Sequence, residues 1–495
     1  MLRIDQAFQP WARSHPLRVA LRDAGTNVTY AELGGLVSQV ALQLEAAGVR
    51  AGDRVLLVAE NSVALAVAIL AVSQLRAWSA TVNARLSTRE ITNFVQHSGA
   101  RVALYFSEGS PEAARHGIEH GATPQQWDGL GNLLVGPLHT EAVPEPAVPD
   151  VAVLVYTSGT TGASKAVMLT HANLLFIGAN SRQVRALVPT DVIYGVLPLS
   201  HVYGLSALLM ASLVSGAELR LVARFDPVAM AQALQHDGVT VLHGVPAMYA
   251  KLLTLGAVLE APQLRVAQCG GAPLSASVKA GFEQCFGIPL HNGYGMTEAS
   301  PSICQTRMES PRTDCSVGPA IDGIEIRLDM MGQEEVAAGV GELQVRGPNV
   351  MAGYYRAPEL TAEVITSDGW LRTGDLARIA ADGAVTIVGR SKELIIRSGF
   401  NVYPAEVEQV LNAYPDIVQS AVIGRSVADN EEVIAFVELL PGCVLDQAAL
   451  HVYLKANLSP YKMPAKVIVL AGLPSAASGK ILKRELHRLA ENAHD

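Results

Sequence analysis

The chain has 495 residues with 37 basic and 46 acidic side chains, which gives a formal net charge of −9. Apolar residues make up 49% and charged residues 17%, which excludes a disordered chain and predicts about three compact units. The acidic balance argues against a nucleic-acid partner, because neutralising phosphates needs clustered Lys and Arg. Five scattered cysteines without a CxxC pair disfavour a zinc site or disulfide framework, and favour the reducing cytoplasm as the location.

Apolar strands and helices alternate along the first 300 residues. A helix is predicted over residues 30–48, ending at a glycine suited to cap it. The apolar run 63–75 predicts a helix. The run is too short to span a membrane, which needs ~20 residues, so the helix is expected to be buried in the protein core. Buried strands are predicted over 55–59, 151–156, 192–197, 239–242 and 264–268. The alternation predicts an α/β fold with parallel sheets covered by helices.

The residue pattern of the sequence changes after about residue 318. Shorter strand-like pieces and denser glycines predict a β-rich subdomain over 318–389, which completes a large N-terminal domain of layered α/β sheets, residues 1–390. A small α+β domain follows over 393–495. Its predicted elements are helices over 403–414 and 447–457 and strands over 417–423, 433–439 and 465–470.

The most informative segment is YTSGTTGASK, residues 156–165, directly after a predicted strand. Its glycines permit a sharp turn that points backbone N–H groups inward, and its hydroxyls and lysine add donors and a positive charge. This combination favours a loop that binds a polyphosphate over a solvated turn that binds no ligand. The residues are Thr157, Ser158, Gly159, Thr160, Thr161, Gly162 and Lys165. The spacing differs from the GxxxxGK[ST] loop, and no Ser or Thr follows the lysine.

Six further motifs follow in order: LPLSHVYG (197–204), CGGAPL (269–274), NGYGMTE (292–298), RTGD (372–375), GRSKELIIRSGFNVYP (389–404) and PSAASGK (474–480). With these, the chain resembles the adenylate-forming superfamily of acyl-CoA synthetases, adenylation domains and luciferases, and is most like bacterial fatty acyl-CoA synthetases. The resemblance implies a two-step reaction that uses ATP, Mg²⁺ and coenzyme A. A carboxylate forms acyl-AMP and releases pyrophosphate, and a thiol then displaces AMP.

The resemblance also implies roles for individual residues in the first step. The 157–165 loop would hold the β- and γ-phosphates, Thr297 a phosphate oxygen, and Glu298 the magnesium ion. Lys480 would reach the α-phosphate and the substrate carboxylate as the main adenylation catalyst. The nucleoside would be held by Gly270, Gly271, Ala272, Tyr294, Asp375 and Arg390, with the tyrosine face against adenine and the aspartate on the ribose.

For the second step, the family rotates its C-terminal domain. The matching hinge is 391–392, with Lys392 as the pivot. Rotation would withdraw Lys480 and bring Gly399 to the adenylate, where a residue without a side chain lets the pantetheine arm pass.

The acyl pocket in this family corresponds to His201, Tyr203, Val245, Asn292 and Met296, with His201 at the carboxylate end. No arginine lies among these positions, which disfavours a dicarboxylate such as malonate. No aspartate lies within 201–206, which disfavours an amino acid. The expected substrate is a carboxylic acid with a neutral tail, either a medium- or long-chain fatty acid or an aromatic acid of the coumarate type.

Other functions stay open. An acyl-AMP ligase that loads a carrier protein shares the first step of the reaction. A light-emitting enzyme, or a binding or scaffold protein without catalytic activity, shares the fold. The sequence also leaves a homodimer possible.

Two departures from the family pattern are visible. Ser164–Lys165–Ala166 replaces the common Pro-Lys-Gly, and Arg76 stands where a glycine is frequent.

Overall fold

The computed structural model describes residues 2–146, 150–157, 165–256, 259–330, 339–397, 400–427, 430–440, 442–475 and 481–492. Two large sheets, one smaller sheet and a separate C-terminal α+β unit make up the fold. The α/β class with a β-rich part and a small α+β part is therefore confirmed.

The first sheet is parallel at its centre and antiparallel at both edges. Its strands are β1 (Val19–Arg22), β2 (Asn27–Thr29), β10 (Val192–Gly195), β11 (Glu218–Leu221), β12 (Val241–Gly244), β13 (Val266–Cys269), β14 (Leu290–Gly295) and β15 (Ser302–Gln305). Their order is β15-β14-β13-β12-β10-β11-β1-β2. The prediction of parallel sheets holds for the centre only.

The second sheet has the same mixed character. Its strands are β3 (Arg54–Ala59), β4 (Trp78–Asn83), β5 (Val102–Tyr105), β6 (Thr123–Trp127), β7 (Gly131–Val135), β8 (Val151–Thr157), β9 (Lys165–Thr170) and β18 (Gly353–Tyr354). Their order is β18-β9-β8-β4-β3-β5-β7-β6. One face of this sheet and one face of the first enclose the largest apolar core, so the two sheets are held together by hydrophobic burial.

The third sheet is antiparallel, in the order β16-β17-β19-β20. Its strands are β16 (Glu325–Asp329), β17 (Gly341–Arg346), β19 (Leu371–Ile379) and β20 (Val385–Arg390). An antiparallel sheet is thus present where the sequence predicts β-rich structure, with strands between Glu325 and Arg390; the subdomain bounds 318–389 stay a prediction. Between β17 and β19 the chain leaves this sheet, because β18 pairs with β9 of the second sheet.

The C-terminal unit contains two small sheets, β21-β22 and β23-β24-β25. Its strands are β21 (Ile395–Arg397), β22 (Phe400–Val402), β23 (Ile417–Val427), β24 (Asn430–Leu439) and β25 (Lys466–Leu470). The strand predicted over 417–423 is longer in the structure. Its extension, residues 424–427, includes the polar Arg425 and Ser426, which pair with β24, so apolar content alone underestimates the strand.

The helices of the described residues cover the sheets. They are α1 (Gln9–Ser14), α2 (Tyr30–Ala46), α3 (Val63–Gln74), α4 (Thr88–Ser98), α5 (Pro111–Glu119), α6 (His171–Val184), α7 (Ala211–Ser215), α8 (Pro227–His236), α9 (Pro246–Leu253), α10 (Ala276–Phe286), α11 (Pro358–Val364), α12 (Pro404–Asn412), α13 (Gln447–Asn457) and α14 (Lys483–Asn492). A π-helix over Tyr203–Met210 precedes α7.

The apolar run at 63–75 forms α3, and nearly all of its side chains are buried in the core between the two large sheets. The hydroxyl of Ser62 begins the helix by accepting a hydrogen bond from the Leu65 amide. The predicted buried helix is confirmed. None of the described helices combines the length and apolarity needed to cross a bilayer.

The strand predicted over 192–197 was too long, since β10 ends at Gly195. Beyond Gly195, the backbone forms hydrogen bonds with the side chain of Asn61. Its Nδ2 donates to the carbonyls of Gly195 and Leu197 at 3.0 and 2.9 Å, and its Oδ1 accepts from the Leu199 amide at 2.8 Å. A side chain thereby replaces a neighbouring strand as partner.

Arg76 occupies a left-handed backbone position, with φ of +56°. It follows α3 and closes the turn by donating its amide to the Ser73 carbonyl at 2.8 Å. The left-handed conformation costs an L-residue about 1–2 kcal/mol, which explains why a glycine suits this position. Within the part of the chain that is described, the exposed Arg76 side chain makes no hydrogen bond or ion pair in return.

We expect Arg76→Gly to stabilise the protein by up to about 1 kcal/mol, because relief of the left-handed strain exceeds the extra entropy that glycine has when unfolded. Thermal denaturation at a fixed scan rate should show a Tm higher by up to about 1 °C. Gly287→Ala provides the reverse control. Gly287 has φ of +68° and open space where a β-carbon would lie, so that variant should lower Tm through backbone strain alone. A lower Tm for Arg76→Gly would contradict the strain argument.

Candidate active site

The carboxyl ends of neighbouring parallel strands gather the motif residues at one edge of the first sheet. The segments after β10, β12, β13 and β14 contribute to this edge, and β10, β12, β13 and β14 all run in the same direction. Such an edge is where α/β sheets bind ligands. The predicted residues brought to it are His201, Tyr203, Val245, Gly270, Gly271, Ala272, Met296, Thr297 and Glu298.

The two ends of the predicted phosphate loop form an antiparallel hairpin, with Thr157 opposite Lys165. The loop residues Ser158, Gly159, Thr160, Thr161 and Gly162 lie outside the described residues. The Lys165 ammonium lies over the ring of Tyr354, 4.7 Å from its centroid. The strand before the loop is confirmed, and phosphate binding by the loop stays a prediction.

Tyr354 of β18 joins Lys165 to Glu298. Its hydroxyl donates a hydrogen bond to Oε1 of Glu298 at 2.8 Å, while its ring faces the lysine. Burial and the neighbouring carboxylate both raise the pKa of Tyr354, so the hydroxyl stays protonated and continues to donate. Sequence reasoning missed this tyrosine because no motif contains it. Its role depends on the pairing of β18 with β9, which brings it beside the loop.

The carboxylate of Glu298 is compatible with a magnesium ion carried by a nucleotide. It follows the buried Thr297 in a short 3₁₀ helix directly after β14. The described residues contain no cluster of three His, Cys, Asp or Glu side chains that would form a closed metal site. Mg²⁺ is commonly held by one or two carboxylates, with phosphates and water completing its octahedron, so this donor set fits.

Asp375 lies opposite Arg390 in the third sheet and forms the other side of the site. Its Oδ1 is 3.0 Å from Nε of Arg390, and its Oδ2 accepts a hydrogen bond from the Tyr294 hydroxyl. Burial and the aspartate raise the pKa of Tyr294, which keeps that hydroxyl protonated. Three predicted nucleoside-binding residues are thus in direct contact.

The ring of Tyr203 packs directly against Gly270. A methyl group at Gly270 would lie 3.3 Å from Cε1 of Tyr203, and one at Gly293 would lie 2.9 Å from Nε2 of Gln268, so neither position has room for a side chain. Gly271 has φ of +82°, which an L-residue rarely adopts. We call the partly exposed Tyr203, together with Gly270 and Gly293, the acyl wall, because these residues lie where the acyl group is predicted to bind.

Four buried polar side chains lie beneath the acyl wall, and we call them the polar row: His243, Gln268, His291 and Gln305. The strand register places His243 beside Gln268 and Gln268 beside His291, two residues before Val245, Gly270 and Gly293 on their strands. Gln305 lies opposite Gly293. Burial is the main cause that lowers the pKa of His291 to about 4 and that of His243 well below its usual value, so both rings are neutral.

One predicted pocket residue is directed elsewhere. Asn292 is next to Gly293 on β14 and therefore faces the opposite side of the sheet. Its Nδ2 donates to the Cys315 carbonyl at 2.9 Å, and its Oδ1 accepts from the Gly293 amide. The structure does not bring this amide to Tyr203. The reason is the two-residue period of a strand, which proximity to the motif in sequence does not reveal.

Comparison with known proteins identifies the family of the chain. The family described as AMP-binding enzyme matches residues 8–355, and the AMP-binding enzyme C-terminal domain matches 406–480. A feruloyl-CoA synthase of an Amycolatopsis species is 36% identical over 489 residues, covering 96% of this chain and 97% of that protein. A 2-succinylbenzoate–CoA ligase of Geobacillus kaustophilus is 34% identical over 491 residues, covering 96% and 95%.

Solved structures are similar over the full length. ATP-bound MatB from Rhodopseudomonas palustris has a TM-score of 0.84 at 30% identity, covering 100% of both chains. O-succinylbenzoate coenzyme A synthetase (MenE) from Bacillus subtilis, in complex with ATP and magnesium ion, has a TM-score of 0.83 at 30% identity, covering 97% and 99%. The chain belongs to the AMP-binding enzyme family, within the adenylate-forming acyl-CoA ligases. It is an acid–thiol ligase of the AMP-forming type.

Proposed function

We propose that the protein is an ATP- and Mg²⁺-dependent ligase that converts an aromatic carboxylic acid into its CoA thioester. The acid's carboxylate attacks the α-phosphate of ATP, which gives acyl-AMP and pyrophosphate. The sulfur of CoA then attacks the acyl carbon, AMP leaves, and the thiol proton is released. ATP is bound in the MatB and MenE structures, and magnesium is bound in the latter, which supports both ligands for this chain.

The first step brings two anions together and needs positive charge and ordered donors. Lys165 supplies positive charge on the phosphate side, and Glu298 supplies a carboxylate for the magnesium ion. Asp375 and Arg390 supply the ribose side. Lys480, which lies outside the described residues, is proposed as the residue that stabilises the attacking carboxylate and the α-phosphate.

The contacts around Lys392 support the proposed hinge at 391–392 between residues 1–390 and 393–495. On one side, the Ser391 hydroxyl donates to the carbonyl of Gly374 on β19 at 3.1 Å. On the other side, Glu393 forms an ion pair with Lys483 of α14 at 2.8 Å. Lys392 therefore separates a residue anchored to the N-terminal part from one anchored to the C-terminal part. Gly399, the proposed CoA path, lies outside the described residues.

The acyl wall is the observation that favours an aromatic acid. The Tyr203 ring is flat and partly exposed there, so the ring of an aromatic acid can stack on it. The polar row lies beneath the wall, and a long alkyl chain directed there would have to cover buried polar atoms. This disfavours the fatty-acid alternative. The acyl groups named for the two curated relatives, feruloyl and 2-succinylbenzoyl, both contain an aromatic ring.

A panel of acids tests the proposal. With ATP, Mg²⁺ and CoA, cinnamate- and benzoate-type acids should give kcat/KM values at least about tenfold above those of octanoate, hexadecanoate and malonate. The measurement is AMP release together with detection of the thioester by mass. A preference for a fatty acid or for malonate would contradict the proposal. Acyl-AMP formation without transfer to free CoA would favour the carrier-protein alternative.

A further inference from the structure

The RTGD motif contains a bulge in the third sheet, directly before Asp375. β17 and β19 change register after Glu342, so that Leu343 alone faces residues 373–375. The Thr373 hydroxyl donates to the Leu343 carbonyl at 2.6 Å and accepts from the Asp375 amide at 3.1 Å. A bulge directs a side chain away from its regular position, but it also leaves backbone groups without their usual partners in the ladder.

The backbone of Gly374, inside this bulge, is held by two side chains from other segments. Its amide donates to Oε1 of Glu342 at 2.9 Å, and its carbonyl accepts from the Ser391 hydroxyl at 3.1 Å. Gly374 has φ of +71°, and a β-carbon there would meet no atom within 4 Å, so the conformation and not crowding requires glycine. Because Gly374 directly precedes Asp375, the two contacts fix the peptide from which the Asp375 side chain extends.

The half-buried carboxylate of Glu342 has no other task in the described part of the chain. Among those residues, the Gly374 amide is its only hydrogen-bond partner, and it forms no ion pair. Glu325 on the neighbouring strand β16 differs, because its exposed carboxylate pairs with Arg346 at 2.8 Å. A hydrogen bond to a charged acceptor is stronger than one between neutral groups. The contrast indicates that Glu342 serves the bulge and not the balance of charge on the sheet.

We propose that Glu342 is a positioning residue that holds Asp375 in place for the ribose hydroxyls of ATP, acting through the Gly374 amide. This inference rests on the proposed ribose binding by Asp375 and adds a residue that lies outside every motif. Without the carboxylate, the Gly374 amide loses its partner and the bulge gains other conformations. Asp375 then no longer meets the ribose hydroxyls in the geometry that a hydrogen bond requires.

The test compares the binding of ATP with that of 2′-deoxy-ATP, which lacks one of the two ribose hydroxyls. Isothermal titration calorimetry in the presence of Mg²⁺ gives both Kd values without any carboxylic acid substrate. The native enzyme should bind ATP at least about tenfold more tightly, because a site that hydrogen-bonds a hydroxyl rejects the analogue without it. Asp375→Ala supplies the reference without the ribose contact, and its two Kd values should agree within about threefold.

Two variants remove the acceptor at Glu342, and one retains it. Glu342→Ala and Glu342→Met should weaken ATP binding by about tenfold, change 2′-deoxy-ATP binding little, and so bring the ratio close to that of Asp375→Ala. Glu342→Gln keeps an oxygen that can accept from the Gly374 amide, so it should retain most of the native ratio. Glu325→Ala is the matched control, since it removes a carboxylate from the same sheet away from the bulge, and it should bind both nucleotides as the native enzyme does.

The outcomes separate this inference from the proposed function. Thermal denaturation first identifies the variants that fold. An unchanged ratio in folded Glu342→Ala or Glu342→Met, or an equal loss for both nucleotides, overturns the role of Glu342 and leaves the ribose role of Asp375 in place. If neither variant folds, Glu342 serves stability and the inference is also overturned. A native enzyme that binds both nucleotides equally, or a native ratio in Asp375→Ala, contradicts the proposed ribose site itself.

Discussion

Lys480→Ala is expected to abolish most of the carboxylate-dependent ATP–pyrophosphate exchange, with a loss of about 100-fold or more, which corresponds to about 2.7 kcal/mol in the barrier. The physical reason is that two anions must meet in the first step, and this lysine is proposed to neutralise both. Thioester formation from supplied acyl-adenylate should fall by no more than a few-fold, because the domain rotation would withdraw Lys480 before CoA attacks.

Measuring both half-reactions on one preparation makes the result decisive. Lys455→Ala is a matched control, since Lys455 is an exposed lysine on α13 of the same C-terminal unit. That variant should behave as the native enzyme in both assays. If Lys480→Ala slowed the two half-reactions equally, the proposal that one domain serves two separate steps would have to be abandoned.

Glu298→Gln is expected to lower kcat/KM for Mg²⁺-ATP by about 100-fold and to raise the magnesium concentration needed for half-maximal rate. The glutamine oxygen can still accept the hydrogen bond from Tyr354, so the side chain should keep its position while losing its charge. Initial rates of pyrophosphate exchange across a magnesium series at fixed ATP measure the effect.

Tyr354→Phe is the companion variant, because it retains the ring under Lys165 and removes only the hydroxyl that holds Glu298. We expect a smaller loss, about tenfold, that higher magnesium partly restores. Unchanged magnesium dependence in Glu298→Gln, together with a lowered Tm, would show that the Glu298–Tyr354 contact serves folding and not the metal.

The sequence predicted local elements best where composition is decisive. The buried helix at 63–75 and the amphipathic helix at 447–457 were found nearly to the residue, because burial on all sides or on one face leaves a direct trace in the pattern. The end of β10 was misplaced, because the carbonyls there accept hydrogen bonds from the side chain of Asn61, which lies more than a hundred residues earlier in the chain.

The residues of the candidate site also differ in how far the sequence alone indicates them. Glu298 and Asp375 could be proposed from the sequence because they lie within motifs, where the chemistry and the spacing occur together in one segment. Tyr354 could not be proposed, because only the pairing of β18 with β9, two distant segments, brings it beside Lys165 and Glu298. Asn292 was assigned to the pocket although strand alternation turns it away.

The path of the chain through β18 has a consequence for building hybrid enzymes. Tyr354 belongs to the second sheet, beside Lys165 and Glu298, whereas Asp375, on the next strand along the chain, belongs to the third sheet, beside Arg390. A crossover point placed between Tyr354 and Asp375 would take the two halves of the proposed nucleotide site from different parents. The segment 341–390 should therefore be inherited as one block, with junctions chosen before β17 or after β20.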